Sequence, residues 1–190
     1  MQQTLPTLKK LLKPEEPQYL YALVDAAAHT HIHAHIEAWQ PPAIVLKIEG
    51  FDLPPEAAPW LVHLKADNTF SDWFLQEGLL TGWGIVLHSE HKLLMLADQI
   101  NPWLAAQHSE TGQALLVRFY DPHITYAYFS LLETGDRAQL LNGISHLWRS
   151  IGEDNQLEQL TVEQDHIQRQ RINLNGISII ESAEDHDATV

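Results

Sequence analysis

The stretch Leu115-Leu116-Val117-Arg118-Phe119-Tyr120-Asp121-Pro122 constrains this chain more than any other. Its apolar opening suits a strand buried on both faces of a sheet. It closes on Asp-Pro: Asp121 can accept hydrogen bonds from the free amides of a following helix, and Pro122 suits the first helical position. From Pro122 to Leu132 the apolar residues Ile124, Tyr128 and Leu131 recur at helical spacing, with Phe129 and Leu132 beside them. Gly135 reads as the stop. The expectation is a central strand that turns through a tight corner into a helix, with Arg118 as a charge inside it.

Around this corner the chain alternates strands and helices. Thr4 to Leu12 carries leucines at helical spacing and ends at Pro14. Tyr19 to Val24 is a second buried strand, and Asp25 is placed to cap the next helix, about Ala26 to Trp39. Ala43 to Ile48, Trp60 to Leu64 and Trp83 to His88 read as further strands. Helices are expected from Asn68 to about Gln76 and through Leu93, Ala97, Ile100 and Leu104, with Pro102 breaking the end. Alternation from residue 19 to 133 predicts an α/β fold, a mixed, largely parallel sheet flanked by helices. The Pro-rich link between Ile48 and Trp60 implies at least one antiparallel or irregular connection. Beyond Gly135 the pattern weakens into a less regular C-terminal third. Arg137 to Leu141 extends a helix, Ile144 to Trp148 is an edge strand, and a small hairpin surrounds Asn175-Gly176. Residues 1–150 are thus expected as the α/β domain and 151–190 as a weakly patterned extension, with an acidic, mobile tail from Ser182 to Val190.

Composition narrows the function. A chain of 190 residues with 45% apolar content can bury a substantial core. A net charge of −14 argues against nucleic acid and anionic membrane surfaces, which both reward Lys and Arg. With no cysteine there are no disulfides and no thiol catalysis. No secretory h-region and no run near the ~20 apolar residues of a membrane span are evident. The expectation is a soluble, cytoplasmic protein.

The run His29-Thr30-His31-Ile32-His33-Ala34-His35 invites a metal reading. On a helix with the apolar stripe Ala28, Ile32, Ile36 and Trp39, His29/His33 and His31/His35 form i,i+4 pairs on opposite flanks. No third ligand lies near either pair, so a closed zinc site is not expected, and no metal or cofactor is assigned. Phosphate-binding glycine loops, G-x-S-x-G and H-E-x-x-H are all absent from the sequence. Arg118 with Asp121 reads better as a paired strand-end charge and a helix cap than as a catalytic pair. No catalytic residue is proposed.

Four motifs occur in order: Tyr21-Ala22-Leu23-Val24-Asp25-Ala26-Ala27, Ala58-Pro59-Trp60-Leu61-Val62, Gly82-Trp83-Gly84 and Arg118-Phe119-Tyr120-Asp121-Pro122. Together they resemble the type VI secretion adaptor family, cytoplasmic effector chaperones that load a toxin onto the valine-glycine-repeat spike protein. The resemblance spans roughly residues 19–133, and the R-F-Y-D-P block is its specific part. His123 departs from it, standing where the family often has a second basic residue. The resemblance implies a non-enzymatic adaptor whose partners are a cognate effector toxin and the spike. The motif Arg118 to Pro122 is expected to be structural, and effector choice could reside in the C-terminal third. Trp is enriched at binding hot spots. Of six tryptophans, Trp73 and Trp83 are expected in the core, while Trp39, Trp103 and Trp148 near element ends are the candidate partner contacts. Alternatives are an immunity protein whose acidity suits a toxin's basic site, and a metal-dependent hydrolase using the histidines.

Overall fold

The computed structural model describes residues 4–152, 155–163, 166–175 and 178–184. In chain order the elements are α1 (Thr4–Leu11), β1 (Tyr19–Asp25), α2 (His31–Trp39), β2 (Ala43–Val45) and β3 (Pro59–His63). A helical stretch follows, α3 (Thr69–Trp73) and α4 (Leu79–Thr81) joined by a π-turn at Phe74–Gly78. Then come β4 (Gly84–Ser89), α5 (Leu93–Ile100), β5 (Ala105–Gln107), β6 (Ala114–Leu116), α6 (Pro122–Leu131) and α7 (Thr134–Leu140). The chain closes with β7 (Ile144–Ser150), β8 (Gln156–Val162), β9 (Ile167–Asn173) and β10 (Ser178–Glu184).

Eight strands form one sheet in the order β10-β9-β8-β7-β4-β1-β3-β2. Every neighbouring pair in it is antiparallel. The expected largely parallel sheet is therefore wrong, and the reason is topological. The helix α2 does join two strands that run the same way, β1 and β2, as a crossover helix should. The slot between them is filled by β3, antiparallel to both. The α3–α4 stretch likewise joins β3 and β4 across the intervening β1. Strand–helix alternation specifies crossovers, not adjacency.

The apolar run of β1 is continuous because both faces of the sheet are covered. Tyr21 and Leu23 point into one core with Ile85, Leu87, Ile100, Phe119, Phe129 and Leu147. Leu20, Ala22 and Val24 point into the other with Leu12, Ile32, Ile36, Phe70, Phe74 and Val86. The expected central strand near Leu115 is the second correction. Residues 114–116 pair only with β5, in a separate two-stranded sheet, and Leu115 is exposed. Strand β7 lies inside the sheet between β4 and β8, not at its edge. The segment read as a weakly patterned extension supplies β8, β9 and β10 to the same sheet. The expected hairpin is the β9–β10 pair, from Ser178↔Asn173 onward. Its Gly176, like most of the tail from 185 to 190, lies outside the described residues.

Candidate functional site

The four separated motifs meet at one end of β1, around Asp25. Asp25 aligns with Pro59 of β3, Val24 aligns with Gly84, and the Asp25 amide donates to the Trp83 carbonyl at 2.9 Å. Gly82 and Gly84 answer two different needs. Gly82 takes a left-handed conformation, φ 79°, that ends α4, and a Cβ on Gly84 would stand 2.2 Å from the Leu23 carbonyl oxygen. The Asp25 carboxylate is nearly buried; it accepts from the Ala27 amide at 3.1 Å and from the Arg118 guanidinium. Burial opposes the charged form of Arg118, but the Asp25 carboxylate outweighs it and raises the guanidinium pKa.

The corner itself is assembled as the sequence suggests, although no central strand feeds it. Asp121 accepts from the His123 amide at 3.0 Å and Pro122 opens α6. Phe119 and Tyr120 are buried, and Thr125 donates its hydroxyl to the Phe119 carbonyl at 2.9 Å, pinning the turn against the helix. Burial, with Asp25 nearby, pushes the Tyr120 phenol up to about 12, so Tyr120 stays protonated at any ordinary pH.

A second charge cluster grips the same helix from the C-terminal strands. Glu158 is 0% exposed. Arg149 Nε donates to it at 2.6 Å, Arg169 Nη2 at 2.7 Å, and Arg171 Nε stands 3.8 Å away. Arg149 also donates to the Pro122 carbonyl, and the Arg169 guanidinium lies 3.8 Å over the Tyr126 ring of α6. Sequence reasoning missed this cluster, because the strands that carry it alternate polar and apolar side chains and look like a solvated surface.

The histidine run is not one helix. His29 sits in extended backbone before α2 begins at His31, so His29 and His33 are not a helical pair. His29 instead stacks on Trp83 at 4.4 Å, and His35 stacks on Trp39 at 4.0 Å and meets Trp73 edge-on at 4.3 Å. Trp73 meets Trp39 and Trp83 at 5.8 and 5.3 Å, which joins these rings into one half-buried aromatic face. Burial first, then the neighbouring His31 and His29, lowers the His35 pKa. Among the described residues no group of three or more His, Cys, Asp or Glu side chains stands at metal-binding spacing. Trp39 therefore belongs to a partly exposed face, together with Trp73 and Trp83, which sequence reasoning placed in the core. Trp103, in the turn that follows α5, is half-buried against the core, and Trp148 is 2% exposed and offers a partner no surface.

Beside the corner lies an open cleft of about 640 Å³ whose lining includes Gly82, Pro122, His123, Ser150 and Glu77. The Ser150 hydroxyl donates to the Leu80 carbonyl at 3.0 Å, a structural bond that leaves it poorly set as a nucleophile. No helix among the described residues is long and apolar enough to cross a membrane. No curated protein and no solved structure matches the chain. Residues 20–139, which hold all four motifs, match the family described as a domain of unknown function, DUF4123. The chain belongs to that family, which is associated with type VI secretion effector adaptors.

Proposed function

We propose that this chain is a non-enzymatic cytoplasmic adaptor that holds one cognate effector toxin and presents it to the valine-glycine-repeat spike protein of a type VI secretion system. The observation that carries the reading is family membership over residues 20–139. The charged and titratable groups around Asp25 support it by their engagement: they cap helices and pair with one another. The aromatic face of Trp39, Trp73 and Trp83 is the proposed effector contact, since half-buried indoles supply large contact area with little conformational entropy to lose.

The test is recovery from the native host. The tagged protein should bring down one effector together with the spike, and the effector's unfolding temperature should rise with adaptor concentration. Deleting the gene should abolish export of that effector alone; normal export of every effector sinks the reading. The net charge of −14 also suits an immunity protein, which would bring down a toxin domain without the spike.

A further inference from the structure

On the sheet face opposite the Phe119–Tyr120 corner, a second cavity of about 230 Å³ opens between α1, the end of β3 and α3. Its floor is Leu12, Leu20, Leu64 and Leu75, all buried core residues. Ser71 also lines it; this residue is 2% exposed, and its hydroxyl oxygen has no hydrogen-bond partner among the described residues. Buried hydroxyls are normally paired, so an unpaired one on a residue that lines the cavity leaves a polar position there for a ligand to satisfy. The rim is basic. Lys9, Lys13 and Lys65 line the cavity against one acid, Asp72, whose carboxylate is 2.5 Å from the Lys9 ammonium. Lys13 and Lys65 have no ion-pair partner among the described residues. Three of the chain's 11 basic residues thus ring one apolar hollow in a protein of net charge −14. Glu15, Glu16 and Asp67 are close in sequence but do not line it.

We propose that this cavity docks a partner's peptide segment that presents one or two aliphatic side chains flanked by carboxylates. The apolar floor takes the aliphatic groups, the Ser71 hydroxyl meets the segment's backbone, and Lys13 and Lys65 meet acids on its two flanks. A single-headed acyl carboxylate would use one lysine and leave the other without a role; two charges on separate elements fit a segment that crosses the mouth. The inference rests on the adaptor reading only for the origin of the segment.

The experiment is titration of the full chain with a fluorescent peptide of sequence Glu-Asp-Leu-Leu-Asp-Glu, followed by anisotropy. Saturable binding is expected, weakened about tenfold by Lys13→Glu combined with Lys65→Glu, both at exposed positions, with an unchanged unfolding temperature as the check on the fold. Ala66→Trp, which fills the mouth from an exposed position, should weaken it similarly. Equal affinity for a peptide with serines in place of the leucines overturns the pocket assignment. So does displacement of the peptide by dodecanoate at equal concentration, which assigns the pocket to a lipid-like acid. The two readings fail separately. If the peptide does not bind while the effector is still recovered, the pocket is wrong and the adaptor stands. If the peptide binds while no effector is recovered, the adaptor reading falls and the pocket stands.

Discussion

Asp25 and Glu158 are both buried acids tied to the start of α6, and they are held in different ways. Asp25 is met by one arginine, itself half exposed, and by the backbone amide of Ala27. Glu158 is met by Arg149 and Arg169 with Arg171 beside them, and no water reaches it. The first is a cap that has acquired a countercharge. The second is a sealed ionic core, in which removal of one partner leaves uncompensated charge in a low-dielectric interior. The family match ends at residue 139, so the weaker clasp lies inside it and the stronger one outside.

The largest break of this comparison is Glu158→Ala. It should destabilise the protein by about 4 kcal/mol, because Arg149 is left buried without its countercharge. In denaturant titration with hydrogen exchange, β8 and β9 should lose protection before β1 and β3. If β1 opens first, the two clasps do not act separately.

The next effect lies on the seam between the regions, where β4 meets β7. His88 aligns with His146 there, and its ring stands 5.5 Å from that of His146. Burial, then His146, lowers the His88 pKa to about 4, against a backbone hydrogen bond with Leu12 that raises it. Between about 6.5 and 4 the unfolded chain binds the proton and the folded one does not. Stability conferred by neutral His88 is therefore complete above 6.5 and lost as pH falls towards 4, on the order of 3 kcal/mol in all. His88→Phe should remove that part of the pH slope in urea titrations at a series of pH values; an unchanged slope refutes the assignment.

Arg118→Ala should be milder, about 2 kcal/mol, since Asp25 keeps its amide donor and water reaches the exposed side of the guanidinium site. Asp121→Ala should be the smallest, about 1 kcal/mol, the usual loss for a helix N-cap. Thermal unfolding of both variants provides the measurement. If Arg118→Ala costs as much as Glu158→Ala, the contrast between cap and sealed core collapses.

The corner was legible because its determinants are local. Asp121 and Pro122 act on the next turn of chain, and the caps by Asp25 and Asn68 are equally short-range. Sheet direction was not legible, because nothing local to β1 or β2 says that β3 will occupy the slot between them. Leu115 to Val117 was misplaced for a related reason. Apolar content marks burial on average, yet this hairpin leaves Leu115 exposed. The Glu158 cluster joins residues on three strands, and in sequence its members look like ordinary surface charges. The aromatic face was half visible. The histidines stood out, but the pairing of His35 with Trp73 and of His29, ahead of α2, with Trp83 depends on tertiary packing.

The interposed strand has a consequence for the order of assembly. β1 aligns Tyr21 with His63 and Tyr19 with Ser89, so the central strand finds its neighbours only after some forty to seventy further residues have been made. In β7 and β8, Ser150 already faces Leu157, a closure of short contact order. During synthesis Tyr21 and Leu23 must wait unpaired until β3 and β4 emerge, whereas the C-terminal meander zips as it appears. Nascent chains arrested before residue 59 should therefore bind chaperone or aggregate more than chains extended past residue 150, by which point Phe119, Phe129, Leu147 and the β7 partner of β4 have been made. Pulse-labelled exchange on refolding should find amides of β7 to β9 protected ahead of those of β1.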